Sequence, residues 1–271
     1  MRFKKMIVGD IIRIAANRLP TNIGVVHGEV RLTWRQINER VNAFANALID
    51  AGLQKGERVA ILANNCHQYL EVYLALAKAG LVATPLNTWL KHRELQQMLD
   101  LSQPAAIVTD RANVAKAGEF EQSRLRLRIG IGTGHGLKLD YEDMVASASR
   151  AEPKTAIAED DPFSFAFTSG TTGASKAAVI SHRNSVIGST SHAFAMSLRP
   201  HHALLVLSPM FVFGSCANRF NAIIAARGWL FRIWTRKAFS MRSSGSASLI
   251  WLSIRPFCND WSRIRRAQPE T

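Results

Sequence analysis

Cysteine is scarce in this chain. Its three residues, Cys66, Cys216 and Cys258, are odd in number and far apart, which fits neither a disulfide framework nor a zinc cluster and makes a reducing compartment the expectation. Long apolar runs are missing too. The longest, residues 203–217, is broken by Ser208 and Pro209 and falls short of the roughly 18 to 20 residues that a spanning helix requires. Near the start, Asp10 and Arg13 interrupt any apolar signal core behind the basic first residues. No secretory peptide and no transmembrane segment is therefore expected, and the chain reads as soluble and cytoplasmic.

Acidic residues are the minority, 20 Asp and Glu against 34 Lys and Arg, for a net charge of +14. The excess is uneven. Residues 227–271 hold nine basic and two acidic side chains, half of the whole surplus. A nucleic-acid binder would concentrate such charge on a face with stacking aromatics or a known module, and no module is recognisable here. With 47% hydrophobic and 20% charged residues, 271 residues can bury one large core or two small ones.

Apolar spacing then organises the first 110 residues. Ile7, Ile11, Ile12 and Ala15 mark one side of a helix over 7–17, ended by Pro20. Residues 23–27 and 30–33 flank Gly28-Glu29 as a hairpin. Ile37, Val41, Phe44, Ala45 and Leu48 follow a 3.6-residue period up to Gly52. Strand 58–62, a turn at Asn64-Asn65, helix 68–79, strand 81–86, helix 93–101 and strand 105–109 come next. Such alternation predicts an α/β fold, a parallel sheet with helices packed on it. Tyr69, Tyr73 and Trp89 read as core or groove packing and not as a binding cage.

The glycine run in residues 124–139, G-I-G-T-G-H-G, fails the dinucleotide fingerprint, because the last position falls on His135 or Leu137. It reads as a flexible surface loop. A short helix is expected from Asp140, and residues 151–162 read as an acidic linker.

That linker leads into the densest stretch of chemistry in the chain. Phe163, Phe165 and Phe167 alternate as a half-buried strand, and Thr168, Ser169, Gly170, Thr171, Thr172, Gly173 and Lys176 follow within ten residues. Glycines let backbone N–H groups converge, hydroxyls donate and a lysine neutralises charge, so the loop can cradle a polyphosphate. The alternative is a plain Ser/Thr/Gly surface loop. A Walker loop is excluded, since the sixth position from Gly170 is Ser175 and Lys176 precedes Ala177. Residues 177–181 read as a second strand, so the loop joins two strands without a helix at its exit. His182 reads as a helix-start or packing residue in preference to a general base.

The segment T-S-G-T-T-G-A-S-K, followed by Ser181-His182-Arg183-Asn184, resembles the signature phosphate loop of the adenylate-forming superfamily, the acyl- and aryl-CoA synthetases and their relatives. Ser175 stands where that family usually has proline, and Ala177-Ala178 where it often has Gly-Val. The ordered series L-T-W-R-Q-I-N-E-R-V-N-A-F-A-N-A-L, G-L-Q-K-G-E-R-V-A-I-L, K-A-G-L-V-A-T-P-L-N and R-E-L-Q-Q-M-L extends the resemblance over the N-terminal region. It implies a partial adenylation domain over residues 1–226, with parallel β-sheets flanked by helices, truncated and followed by an irregular basic tail over 227–271. Four of the six tryptophans lie in that tail, and its change of character motivates the expectation that it is read in a shifted frame.

What the resemblance implies for function is ATP-dependent ligation of a fatty or aryl carboxylic acid to CoA, with Mg²⁺ sharing the phosphate charge. Thr168, Ser169, Gly170, Thr171, Thr172, Gly173 and Lys176 would hold the phosphates. Phe211 and Val212 would border the acid, with Val212 where the family carries histidine. No catalytic residue and no metal ligand is assigned. The family's adenine, ribose and magnesium segments and its catalytic lysine are not found among these residues, so an inactive fragment is expected. A non-catalytic ATP-binding remnant and a basic nucleic-acid-associated protein stay open as alternatives.

Overall fold

The period-3.6 and period-2 segments fold as their patterns demand. The computed structural model describes residues 7–121, 123–168, 176–195, 203–206, 208–212, 230–233 and 249–250. Helix α1 (Val8–Arg18) buries Val8, Ile11, Ile12, Ala15 and Ala16, one apolar stripe. The hairpin β1 (Ile23–His27) and β2 (Val30–Thr33) turns at Gly28, whose φ of +57° suits a residue without a Cβ. Helix α2 (Trp34–Asp50) starts with a reciprocal cap. Gln36 N donates to Thr33 Oγ1 at 3.2 Å, and Thr33 N donates to Gln36 Oε1 at 2.8 Å.

Repeated strand and helix units build the larger sheet. They are β3 (Arg58–Leu62), α3 (His67–Ala79), β4 (Val82–Pro85), α4 (His92–Ser102), β5 (Ala106–Asp110), α5 (Val114–Gly118), β6 (Leu127–Ile131), β7 (Leu139–Asp140) and α6 (Tyr141–Ser147). Strands β8 (Pro162–Thr168) and β9 (Lys176–Ser181) complete it, in the order β7-β6-β5-β3-β4-β8-β9. Only the β8–β9 pair in it is antiparallel. After α7 (His182–Ala195) come β10 (Ala203–Val206), β11 (Leu230–Ile233) and β12 (Leu249–Ile250), which join the hairpin in a second sheet ordered β12-β10-β11-β1-β2. The fold is thus α/β with mainly parallel sheets and flanking helices, as expected. Two short stretches of the segment 227–271 are strands, and β11 lies between β10 and β1.

Helix α3 is buried along its whole length, so its charged residues must be neutralised inside. Glu71 is 1% exposed and accepts from Arg40 Nε at 2.7 Å and from the Tyr141 hydroxyl at 2.6 Å; His67 Nδ1 lies 2.7 Å away. Burial alone would raise its pKa, but the His67 hydrogen bond, the Arg40 charge and the Tyr141 hydrogen bond outweigh it and hold the carboxyl below its usual range. Arg40 also donates to Glu142 at 2.9 Å, tying α2, α3 and α6 together. One residue from the end of α3, Lys78 Nζ donates to Asn38, Asn42 and Glu152 at 2.8, 2.6 and 2.7 Å. Glu152 belongs to the expected linker. Asn46 donates to the carbonyls of Ser149 and Ala151, and Lys55 to that of Ala156, so the linker is laid down as a strap across α2 and the following loop.

The glycine run departs from the surface-loop reading. Its first part is strand β6, paired in parallel with β5. The ring of His135 folds back over Gly130, where a Cβ would stand 2.1 Å from Nδ1. His135 Nε2 lies 2.8 Å from Asp140, and Leu137 N donates to its Nδ1 at 3.0 Å. Gly132, Gly134 and Gly136 take φ of +76°, +71° and +70° to make this tight return. The run leads into strand β7 and not into a helix N-terminus, so Gly130 serves packing under His135 and the later glycines serve an exposed turn.

Candidate functional site

Parallel strands deliver their C-terminal ends to one edge, where the loops between elements collect. That edge is the usual ligand side of an open α/β sheet. Here β3, β4, β5 and β8 end together, and β10 of the second sheet ends near them. Strand β8 pairs with β4 through Ala83 and Ser164, so the stretch after β8 and the loop after β4 leave the sheet side by side. Tyr73 holds this junction from beneath, its hydroxyl donating to Ser164 Oγ at 2.9 Å.

The two strands that flank the expected phosphate loop end at this edge. Strands β8 and β9 pair antiparallel over their length, and the last pair is Thr168 with Lys176. The two strands expected to flank the loop are both present. Ser169, Gly170, Thr171, Thr172 and Gly173 lie outside the described residues, so the structure gives the two ends of the loop and not its course. Lys176 is exposed and has no carboxylate partner among the described residues. An exposed ammonium that follows a run of hydroxyls and glycines in the sequence is suited to an anion.

His182, just beyond β9, is a packing residue. It is 0% exposed, its Nδ1 accepts from Val8 N at 3.3 Å, and its ring lies 5.2 Å from that of Phe163. Burial lowers its pKa to about 4, so it is neutral and joins α1 to α7. Helix α7 starts on a Ser181–Asn184 exchange, with Asn184 N donating to Ser181 Oγ at 3.2 Å and Ser181 Oγ to Asn184 Oδ1 at 2.8 Å.

The residues expected on the acid side lie on a turn tied to the end of β3. Phe211 and Val212 follow β10 on a short turn, and Val212 is 38% exposed. Asn65 fixes this turn, a role its place in a sequence turn did not announce. Met210 N donates to Asn65 Oδ1 at 2.7 Å, and Asn65 Nδ2 donates to the Ser208 carbonyl at 2.9 Å. Next to it Asn64 donates twice to Asp110, which also accepts from Asn113, so the ends of β3 and β5 are tied. Phe211 meets Trp89, ring centroids 5.4 Å apart at 88°. Tyr69 and Tyr73 are core residues, as expected. Trp89 is not, being 66% exposed. Among the described residues no group of three His, Cys, Asp or Glu side chains could hold a metal ion, and no helix is long and apolar enough to cross a membrane.

A two-sheet α/β scaffold with a hydroxyl- and glycine-rich hairpin loop at its carboxyl edge defines a class of ligand-binding domain, and comparison with known proteins gives its family. The AMP-binding enzyme family matches residues 12–238. The probable acyl-activating enzyme 21 of Arabidopsis thaliana is 30% identical over 224 residues, 79% of this chain. The peroxisomal benzoate–CoA ligase of the same plant is 28% identical over 221 residues, 74% of the chain. The chain spans 38% of the length of each. Among solved structures, the inhibitor-bound N-terminal domain of FACL13 from Mycobacterium tuberculosis superposes with a TM-score of 0.75 at 27% identity, covering 84% of this chain and 57% of that one. The chain belongs to the AMP-binding enzyme family, and its ancestry is that of an adenylate-forming ligase. The family match runs twelve residues past 226, where the basic segment is expected to begin, and takes in β11.

Proposed function

We propose that this chain supplies the phosphate-holding part of an ATP-dependent carboxylic acid:CoA ligase. The observation that carries the reading is the β8–β9 hairpin, whose closing pair of Thr168 and Lys176 brackets the hydroxyl and glycine loop at the carboxyl edge. In the reaction of such ligases an oxygen of the acid attacks the α-phosphorus of ATP and releases pyrophosphate. The thiol sulfur of CoA then attacks the acyl carbonyl, gives up its proton and displaces AMP.

The part played by these residues is binding and charge neutralisation. Thr168, Ser169, Gly170, Thr171, Thr172, Gly173 and Lys176 hold the β- and γ-phosphates, with Mg²⁺ carried by the nucleotide sharing their charge. Each hydrogen bond to a charged oxygen contributes about 1.5 to 3 kcal/mol. Phe211 and Val212 border a small-molecule carboxylic acid on the opposite side. Taken by themselves, residues 1–271 bind nucleotide without completing ligation, because the adenine and thiolation segments that the resemblance calls for are not among them.

Thermal unfolding with and without MgATP tests the reading. ATP raises the melting temperature of the wild-type chain, and Lys176→Ala removes that rise while leaving the ligand-free melting temperature within about 0.5 kcal/mol equivalent, as for other exposed substitutions. Equal protection of both proteins would sink the phosphate role. Carboxylate-dependent exchange of labelled pyrophosphate into ATP by residues 1–271 would overturn the claim that they do not turn over.

A further inference from the structure

In the stretch Ser181-His182-Arg183-Asn184, local structure accounts for every residue but one. Ser181 and Asn184 bond each other at the start of α7, and His182 packs on Val8 and Phe163. Arg183 is left, and its guanidinium grips a carboxylate with both arms. Its Nε donates to Asp160 Oδ1 at 2.9 Å and its Nη2 to Asp160 Oδ2 at 3.0 Å, while Nη2 also lies 3.4 Å from Glu159. The Arg183 side chain is 50% exposed and that of Asp160 77% exposed, so solvent screens the pair and it adds little to stability. A planar fork on a carboxylate nevertheless fixes direction, because both bonds hold in one orientation only.

What the fork directs is the base of the β8–β9 hairpin. Asp160 stands two residues before β8, and Arg183 two residues after β9. Two backbone bonds close the same end, His182 N donating to the Asp161 carbonyl at 3.2 Å and Arg183 N to the Glu159 carbonyl at 2.8 Å. Asp161 is anchored in turn, accepting from Lys55 Nζ and from Ala158 N, both at 2.7 Å. Among the described residues the other end has less support. Strand β9 is last in its sheet, and β8 meets β4 through Ala83 and Ser164, a parallel register that sets Pro85, the end of β4, level with Ala166. Thr168 and Lys176 pair beyond that point, where Phe167 rests half-buried against the core that holds Leu95 and Leu99 of α4. A two-stranded ribbon anchored mainly at its base takes its aim from there.

We propose that Arg183 is a positioning residue for the nucleotide phosphates: its grip on Asp160 sets the angle at which the hairpin carries Thr168 and Lys176. This role rests on the ligase reading above. Arg183 touches no phosphate in it and acts through the hairpin alone.

Affinities of the whole chain for MgATP and MgADP test it. These nucleotides differ by the γ-phosphate, so the ratio of their Kd values reports the contacts made at the end of the hairpin. The wild-type chain binds MgATP more tightly by about tenfold, the scale of one hydrogen bond to a charged oxygen. Arg183→Ala lowers the ratio to about twofold or less with the ligand-free urea midpoint nearly unchanged, whereas loss of a purely structural contact lowers the midpoint and leaves the ratio. Arg183→Lys, with a point charge in place of the fork, falls between. Asp160→Asn reproduces the loss, and combining it with Arg183→Ala changes nothing further, since both break one contact. An unchanged ratio in Arg183→Ala overturns the proposal. So do additive losses in the double variant, and so does tighter MgATP binding in Asp160→Asn, which would show that a released Arg183 bonds the phosphate itself. A wild-type chain that binds neither nucleotide, or both equally, overturns the phosphate-holding reading, a result distinct from all of these.

Discussion

The interior around α3 and the carboxyl edge are held by opposite means. Around α3, charged groups are locked by several partners each. Glu71 has three and Lys78 has three, and both connect helices that are already packed by apolar contact. At the edge, a few hydrogen bonds fix whole turns, as two bonds from Asn65 hold the residues before Phe211. The interior therefore carries stability, and the edge orders its turns with few bonds.

The comparison breaks most visibly at Glu71. Removing one member of a buried ionic group leaves its partners charged and unpaired, a loss of about 3 to 5 kcal/mol. Glu71→Ala leaves Arg40 with Glu142 alone and removes the acceptor of Tyr141, so stability measured by urea unfolding falls by an amount approaching that order. A loss under about 1 kcal/mol would show that apolar packing alone holds α3. Residual folded protein should keep the ATP protection that depends on Lys176, since the carboxylate touches neither the hairpin nor the Phe211 turn.

His182 gives the next effect, through pH. Its ordinary pKa is 6.5 and burial lowers it to about 4 in the folded chain. Between those values the unfolded state takes a proton that the folded state refuses, so stability falls as pH drops from 6.5 toward 4 and is unaffected by this group above 6.5. The full shift corresponds to about 3 kcal/mol. His182→Asn keeps an oxygen that can accept from Val8 N, costs stability at neutral pH by losing the ring packed on Phe163, and flattens the acid slope over that window. An identical slope in both proteins would assign the acid sensitivity to other groups.

These two sites differ in how far they could be read from residues alone. Helix α2, hairpin β1–β2 and strand β3 follow from periodicity and turn chemistry, because each apolar stripe faces a core built locally. The paired strands around the phosphate loop were readable for the same reason. Strand β6 was hidden by its glycines, although Leu125, Leu127, Ile129 and Ile131 alternate with period two. That Gly130 must lack a Cβ depends on His135 folding over it, a contact no spacing rule encodes. Trp89 was read as packing because indoles bury area on average, and its one ring contact among the described residues, with Phe211, comes from 122 residues away. Glu71, inside a helix of apolar period, gave no sign that Arg40 and Tyr141 converge on it from 31 and 70 residues away.

Asn65 joins the two halves of the comparison and should show the smallest stability effect. Its side chain spans the sheets, accepting from Met210 and donating to Ser208 at the close of β10. Asn65→Ala removes both bonds, worth about 1 to 2 kcal/mol together, and Asn65→Asp keeps the acceptor for Met210 N but not the donor. If the edge holds its aromatic corner through this clamp, Asn65→Ala loosens Phe211 and weakens a benzoyl adenylate analogue more than it weakens ATP, whose phosphates the proposed hairpin site would hold. The aspartate variant falls between. Equal loss of both ligands would mean that Asn65 supports the fold as a whole, and the edge would then share the interior's dependence on packing.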